Sequence, residues 1–191
     1  MGLKRVRALV EISDSREIMR RYFVVNGYDG ALTMLGLIMG FHVSEQVDLA
    51  VVITTCLAAA LALGMSGVSS AYISEAAERH RTLAKLEKAM VSSLDDSQHA
   101  RVVVWVPWLV ALVNGLAPLL IGLVIITPLW LVHAGVLIPI GPLPAAMTVA
   151  LLTIFLLGVF LGRVSGTFWL WSGLQSMAVA LLTLSLIYLI G

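Results

Sequence analysis

Five apolar runs, each near or above the roughly 20 residues a helix needs to cross a hydrocarbon core, leave this chain little freedom of fold. They cover about residues 22–42, 49–73, 102–132, 144–162 and 168–190. In lipid every backbone polar group must be satisfied internally, so only helices and closed barrels span, and the alternating short strands of a barrel are absent. The expected fold is an all-α integral membrane protein with five transmembrane helices. Composition agrees: 60% of the 191 residues are hydrophobic and 12% charged, with a mean hydropathy of +0.99, well outside the range of soluble domains. The third run is too long for a straight span and holds Pro107, Pro118 and Pro128, which reads as a kinked helix with an interfacial start or end.

Charge placement gives an orientation. The connections "HVSEQVD" and "HAGVLIPIGPLP" contain no Lys or Arg, and all 12 basic residues fall on the other side. By the positive-inside rule the N-terminus is expected in the cytoplasm and the C-terminus outside. Residues 1–21 read as a cytoplasmic amphipathic segment with Val6, Val10 and Met19 among charges. This segment lacks an apolar h-region and a small-residue cleavage site, so no cleaved signal peptide is expected. The membrane domain then occupies 22–191, interrupted by a short cytoplasmic insert at 74–101. That insert continues the second span as a charged helix with Leu83, Leu86 and Met90 at helical spacing, then turns at "SSLDDS". No separate soluble domain is large enough to hold a core. A net charge of +1 argues against a nucleic-acid partner, since no surplus of positive charge is there to neutralise phosphates. The single cysteine, Cys56, sits in an apolar run and offers neither an internal disulfide nor a CxxC metal site.

An odd number of helices precludes two equal halves within one chain, as many transporters have, so symmetry would come from a homodimer. Gly36/Gly40 and Gly158/Gly162 are GxxxG pairs that mark close helix contacts, either at a dimer seam or within one chain.

One residue breaks the apolar pattern. Asp29 stands inside "VVNGYDGALTMLGLIMGF", and a carboxylate in the membrane interior costs several kcal/mol and points to function. At 100° per residue it shares a face with Asn26, Thr33, Gly36 and Gly40. That small, polar stripe is expected to face other helices, with Leu, Ile and Met left to lipid. The alternative is a packing aspartate hydrogen-bonded to a neighbouring helix. In the second span Met65, Ser69 and Tyr72 form one stripe, with Glu75 near its continuation. If Tyr22 and Tyr72 mark the cytoplasmic ends, Asp29 and Met65 share a depth. A carboxylate oxygen beside a thioether sulfur suits a borderline ion such as Fe²⁺ and matches Ca²⁺ or Mg²⁺ poorly, although methionine also serves as apolar filler. Pro118 leaves the carbonyl of Asn114 without its helical donor, so Asn114 can line a path. Gln175 in the fifth span lies at similar depth. Both are also natural helix-to-helix hydrogen-bonding groups. Glu75 and Glu78, an i, i+3 pair with His80 nearby, can share a cation at the cytoplasmic mouth, or can belong to a solvated helix with ion pairs such as Glu78 to Arg81. Asp95, Asp96 and His99 read as a turn.

"GYDGALTMLGLIMG" resembles the first helix of the vacuolar iron transporter (VIT) family, where an Asp-Gly pair precedes a small polar residue and a Gly-containing apolar helix. "ALALGMSGVSSAYISEAAE" is similar to that family's second helix, "ALVNGLAPLLIGL" to its third, and "LLGVFLGRVSG" with "SGLQSMAVALLTLSLIYLIG" to its fourth and fifth. The resemblance covers about residues 20–191 in the same order. It implies a homodimer that exports Fe²⁺, Mn²⁺ or related divalent ions from the cytosol in exchange for protons. It carries over Asp29 as the first-helix acid of the path, Met65 as the methionine facing it, and Glu75 and Glu78 as acids at the cytoplasmic exit. Two departures stand out. The family's Gly-Glu-Tyr reads "SAY" here, so Ala71 or a neighbouring Ser replaces an intramembrane Glu, and the large Glu-rich cytoplasmic domain shrinks to the short insert.

The resulting expectation is a divalent-metal/proton antiporter. Lipid, metal and protons would be its partners, the transported ion its only metal, and there would be no prosthetic group. The short insert points to a prokaryotic plasma membrane. A membrane scaffold or regulatory subunit retaining the transporter fold is the alternative. An intramembrane enzyme is not expected, because no His or Ser base lies at the depth of Asp29 and His42 and His133 sit at outer helix ends.

Overall fold

The computed structural model describes residues 15–44, 48–91 and 98–190, and over these the chain is helical apart from short connections. Five helices follow in order: α1 (Ser15–Val43), α2 (Leu49–Met90), α3 (Gln98–His133), α4 (Pro142–Ser165) and α5 (Trp169–Ile190). All five are long and apolar enough to cross a membrane. Most of the segment expected over 1–21, and the turn expected at "SSLDDS" with Asp95 and Asp96, lie outside the described residues.

Local chemistry fixes several of the ends. The Asp48 carboxylate accepts the N–H of Ala50 at 3.0 Å and caps α2. Pro142 opens α4, where its missing N–H has no helical use. Gly166 closes α4 in the left-handed conformation at φ 71°, and the next N–H, of Thr167, turns back to the Gly162 carbonyl at 3.0 Å.

The second and third helices differ from simple spans. α2 is one helix of 42 residues, roughly 63 Å at the helical rise, about twice the thickness of a hydrocarbon core. α3 continues through Pro107, Pro118 and Pro128 as a single helical element of 36 residues.

The chain divides into two compact units, and the boundary passes through α1, α2 and α3. The first takes the chain as far as Phe23 together with Gly64–Leu116. Its core is Ala71, Val102, Val106, Val110 and Ala111, with Ile18, Met19 and Tyr22 of α1 packed against it. Tyr72 stacks on Trp108, centroids 4.4 Å apart and rings tilted by 41°. Small residues set the α2–α3 distance: a Cβ on Gly115 would meet the carbonyl oxygen of Gly64 at 2.5 Å. The second unit takes Val24–Leu63 and Ala117–Gly191. Met34, Leu35, Ile38, Ile125, Ile126 and Ile154 are fully buried at its centre.

Packing of α1 in the second unit departs from the sequence expectation. The face that packs within the chain carries Gly27, Gly30, Ala31, Met34 and Ile38, all buried. Asp29 is exposed and Asn26, Thr33, Gly36 and Gly40 are only half-buried. The large apolar residues take the interior because Gly27 and Gly30 admit α3 closely: a Cβ on Gly30 would lie 2.8 Å from Cα and Cβ of Pro118. Gly158 and Gly162 likewise receive Ser176 and Ser172 of α5, so this GxxxG pair serves packing inside one chain. Among the described residues Gly36 has only Ile187 beside it and Gly40 nothing within 4 Å.

Candidate functional site

Asp29, in the middle of α1, is among the residues that line a cavity of about 170 Å³ in the second unit. Val24, Val25, Leu157 and Leu161 form aliphatic walls, and Tyr28, Asp29 and Ser176 supply the polar side chains. Gly158 makes the arrangement possible, since any side chain there would collide with Ser176. The Tyr28 hydroxyl donates to the backbone carbonyl of Ser176 at 3.3 Å and ties α1 to α5 beside the carboxylate. Thr33 Oγ1 donates to the backbone carbonyl of Asp29 at 2.8 Å. The Asp29 carboxylate itself has no hydrogen-bond or ion-pair partner among the described residues. Gln175, one residue before Ser176, is exposed on α5.

The remaining sequence-selected residues belong to the first unit. Met65 is 65% exposed, and Ser69 Oγ donates back to its carbonyl at 2.9 Å. Tyr72 is held by the stack on Trp108. Asn114 is 3% exposed, and its amide donates to the Gly67 carbonyl at 2.8 Å, tying α3 to α2. Glu75 forms an ion pair with Arg79 at 3.5 Å, with both side chains largely covered. Glu78 is exposed. The Glu75–Glu78 spacing therefore does not produce two equivalent carboxylates: one is engaged by a cation of its own helix and the other faces outward. Among the described residues no three His, Cys, Asp or Glu side chains gather as a metal-binding group.

Tyr28, Ser176 and Trp108 escaped the sequence reading. A phenol adjacent to an intramembrane acid, and Ser172/Ser176 spaced to match Gly158/Gly162, were visible signals for the first two. Trp108 carried none, because its role depends on α2 and α3 being neighbours.

No protein-family model matches the chain. It is similar to an uncharacterized protein of Methanocaldococcus jannaschii, with 27% identity over 175 residues that cover 89% of this chain and 87% of the relative.

Proposed function

We propose that the chain is an integral membrane exporter of a divalent transition metal ion, Fe²⁺ or Mn²⁺, of the kind found in the vacuolar iron transporter family. The observation that carries this reading is the Asp29 carboxylate, unpartnered among the described residues at the centre of an apolar span. An ionisable group so placed either neutralises or takes a cation. The N-terminus would be cytoplasmic, by the placement of Lys and Arg, and the membrane a prokaryotic plasma membrane. A second copy of the chain would cover the exposed Asp29 face, giving a homodimer whose mate supplies further donors. Because Asp29 must shed its proton to bind metal, proton and metal compete for one site, the minimum needed for antiport. Glu75 would serve capture at the cytoplasmic end only when released from Arg79.

A scaffold or regulatory subunit is the second reading. It is favoured by the engagement of Glu75 with Arg79 and of Asn114 with Gly67, which turns two sequence-selected path residues to packing. The test is Fe²⁺ uptake into anaerobic liposomes with a pH-sensitive dye inside. Metal flux with opposite proton flow, lost in Asp29→Asn with the fold intact, supports transport. Unchanged flux in that variant would remove Asp29 from the path, and no flux from well-folded protein would favour the scaffold.

A further inference from the structure

The cavity beside Asp29 is poorly furnished for a bare divalent ion acting alone. Such an ion asks for four or more donor atoms, and most of the lining here is aliphatic carbon. The Tyr28 proton is already committed to the Ser176 carbonyl. What the cavity does combine, among its lining residues, is Asp29, whose carboxylate is unpaired among the described residues, and an apolar chamber of about 170 Å³, space for roughly five or six waters. The lining residues Val25 and Leu161, 48% and 45% exposed, mark its open side, and Val25 stands one turn before the exposed Asp29 on α1. These are the complements of a small organic cation: a carboxylate for the charge and aliphatic walls that stabilise an alkyl body by removing it from water.

We propose that this cavity is a binding site for a small alkylammonium ion, with the ammonium group on Asp29 beside Tyr28 and the alkyl chain between Val25, Leu157 and Leu161. The site lies wholly within one unit of one chain and needs neither Met65 nor a metal ion. It makes the alkylammonium ion a competitor for whatever cation Asp29 otherwise holds.

The test is calorimetric titration of the full-length protein in detergent with n-butylammonium, and with 1-butanol as the uncharged analogue of the same shape. Saturable binding of the ammonium but not of the alcohol is expected. Asp29→Asn should weaken it by more than about tenfold. Leu161→Trp, which fills the open side while leaving the carboxylate in place, should weaken it comparably, and Met65→Leu should leave it unchanged. Two results overturn the proposal: no saturable binding to folded wild-type protein, or binding that needs Asp29 but is indifferent to Leu161→Trp, which would reduce it to surface ion pairing. Metal flux is read separately. Asp29-dependent ammonium binding without metal transport would uphold the cavity and remove the transport reading, and Asp29-dependent metal transport by protein with no saturable ammonium binding would do the reverse.

Discussion

Gly30→Ala tests how the carboxylate-bearing turn of α1 is seated. The added methyl carbon would stand 2.8 Å from both Cα and Cβ of Pro118, against the 3.4 Å at which ordinary contact begins. Neither atom belongs to a flexible side chain, so α1 and α3 must separate by a sizeable fraction of an ångström. Overpacking of this kind costs about 1–3 kcal/mol. Replacing a helical Gly by Ala returns about 1 kcal/mol of helix propensity, leaving a net loss of roughly 0–2 kcal/mol. Gly40 is the internal control. It lies on the same helix with nothing within 4 Å among the described residues, so Gly40→Ala should be neutral or stabilising by up to about 1 kcal/mol. Reversible unfolding of each variant in mixed micelles, titrated with a denaturing detergent, measures the difference. Equal stabilities for the two variants would refute the close α1–α3 seat. A loss at Gly40 larger than at Gly30 would place a helix, of this chain or a second copy, against the face that is open within one chain.

Two further outcomes follow from buried groups. Asn114→Leu removes the amide that bonds the Gly67 carbonyl at 2.8 Å and should lower stability by about 0.6–1.7 kcal/mol in the same unfolding assay. An unaltered or raised stability would mean that the amide is not a structural tie. Cys56 is fully buried and should resist a membrane-permeant maleimide in folded protein, reacting only as the chain unfolds. Prompt labelling of folded protein would contradict the packing of α2 in the second unit.

The five long apolar helices were legible because unbroken apolar runs of this length have few other folds. The run-on of α2 past Ser74 was also visible, in the spacing of Leu83, Leu86 and Met90. Which side of each helix packs inward was not. Amphipathic periodicity works when solvent is polar and the core apolar. In helices as apolar as these both faces are apolar, and packing is decided by where small residues let backbones approach. Thus Met34 is fully buried and Met65 is 65% exposed, though nothing in their immediate sequence separates them. The polar stripe of α1 was legible as a stripe, but its exposure depended on Gly27 and Gly30 meeting Pro118 and Ile121, a long-range fact. Glu75 and Glu78 were legible as a pair, while the competition from Arg79 is settled by side-chain geometry.

The hydrogen-bonding of the apolar helices sharpens what is distinctive about Asp29. Hydroxyls in these helices turn back on their own backbone: Thr33, Ser69, Thr153, Thr183 and Ser185 each donate to the carbonyl one turn earlier, at 2.7 to 2.9 Å. They can do so because a hydroxyl carries a proton and a helix offers carbonyl acceptors. An ionised carboxylate is an acceptor only, and the N–H groups inside a helix are already spent on the backbone. Asp29 therefore has no such local solution while it is charged. Protonated, it becomes a donor and can turn back to the Val25 carbonyl as the hydroxyls do. Its two self-consistent states in an apolar surrounding are thus a proton on the carboxyl or a cation against it. Exchange between those two states is the chemistry shared by metal transport and by an organic ammonium site, and the Asp29→Asn variant, an amide fixed in the neutral state, removes it from both.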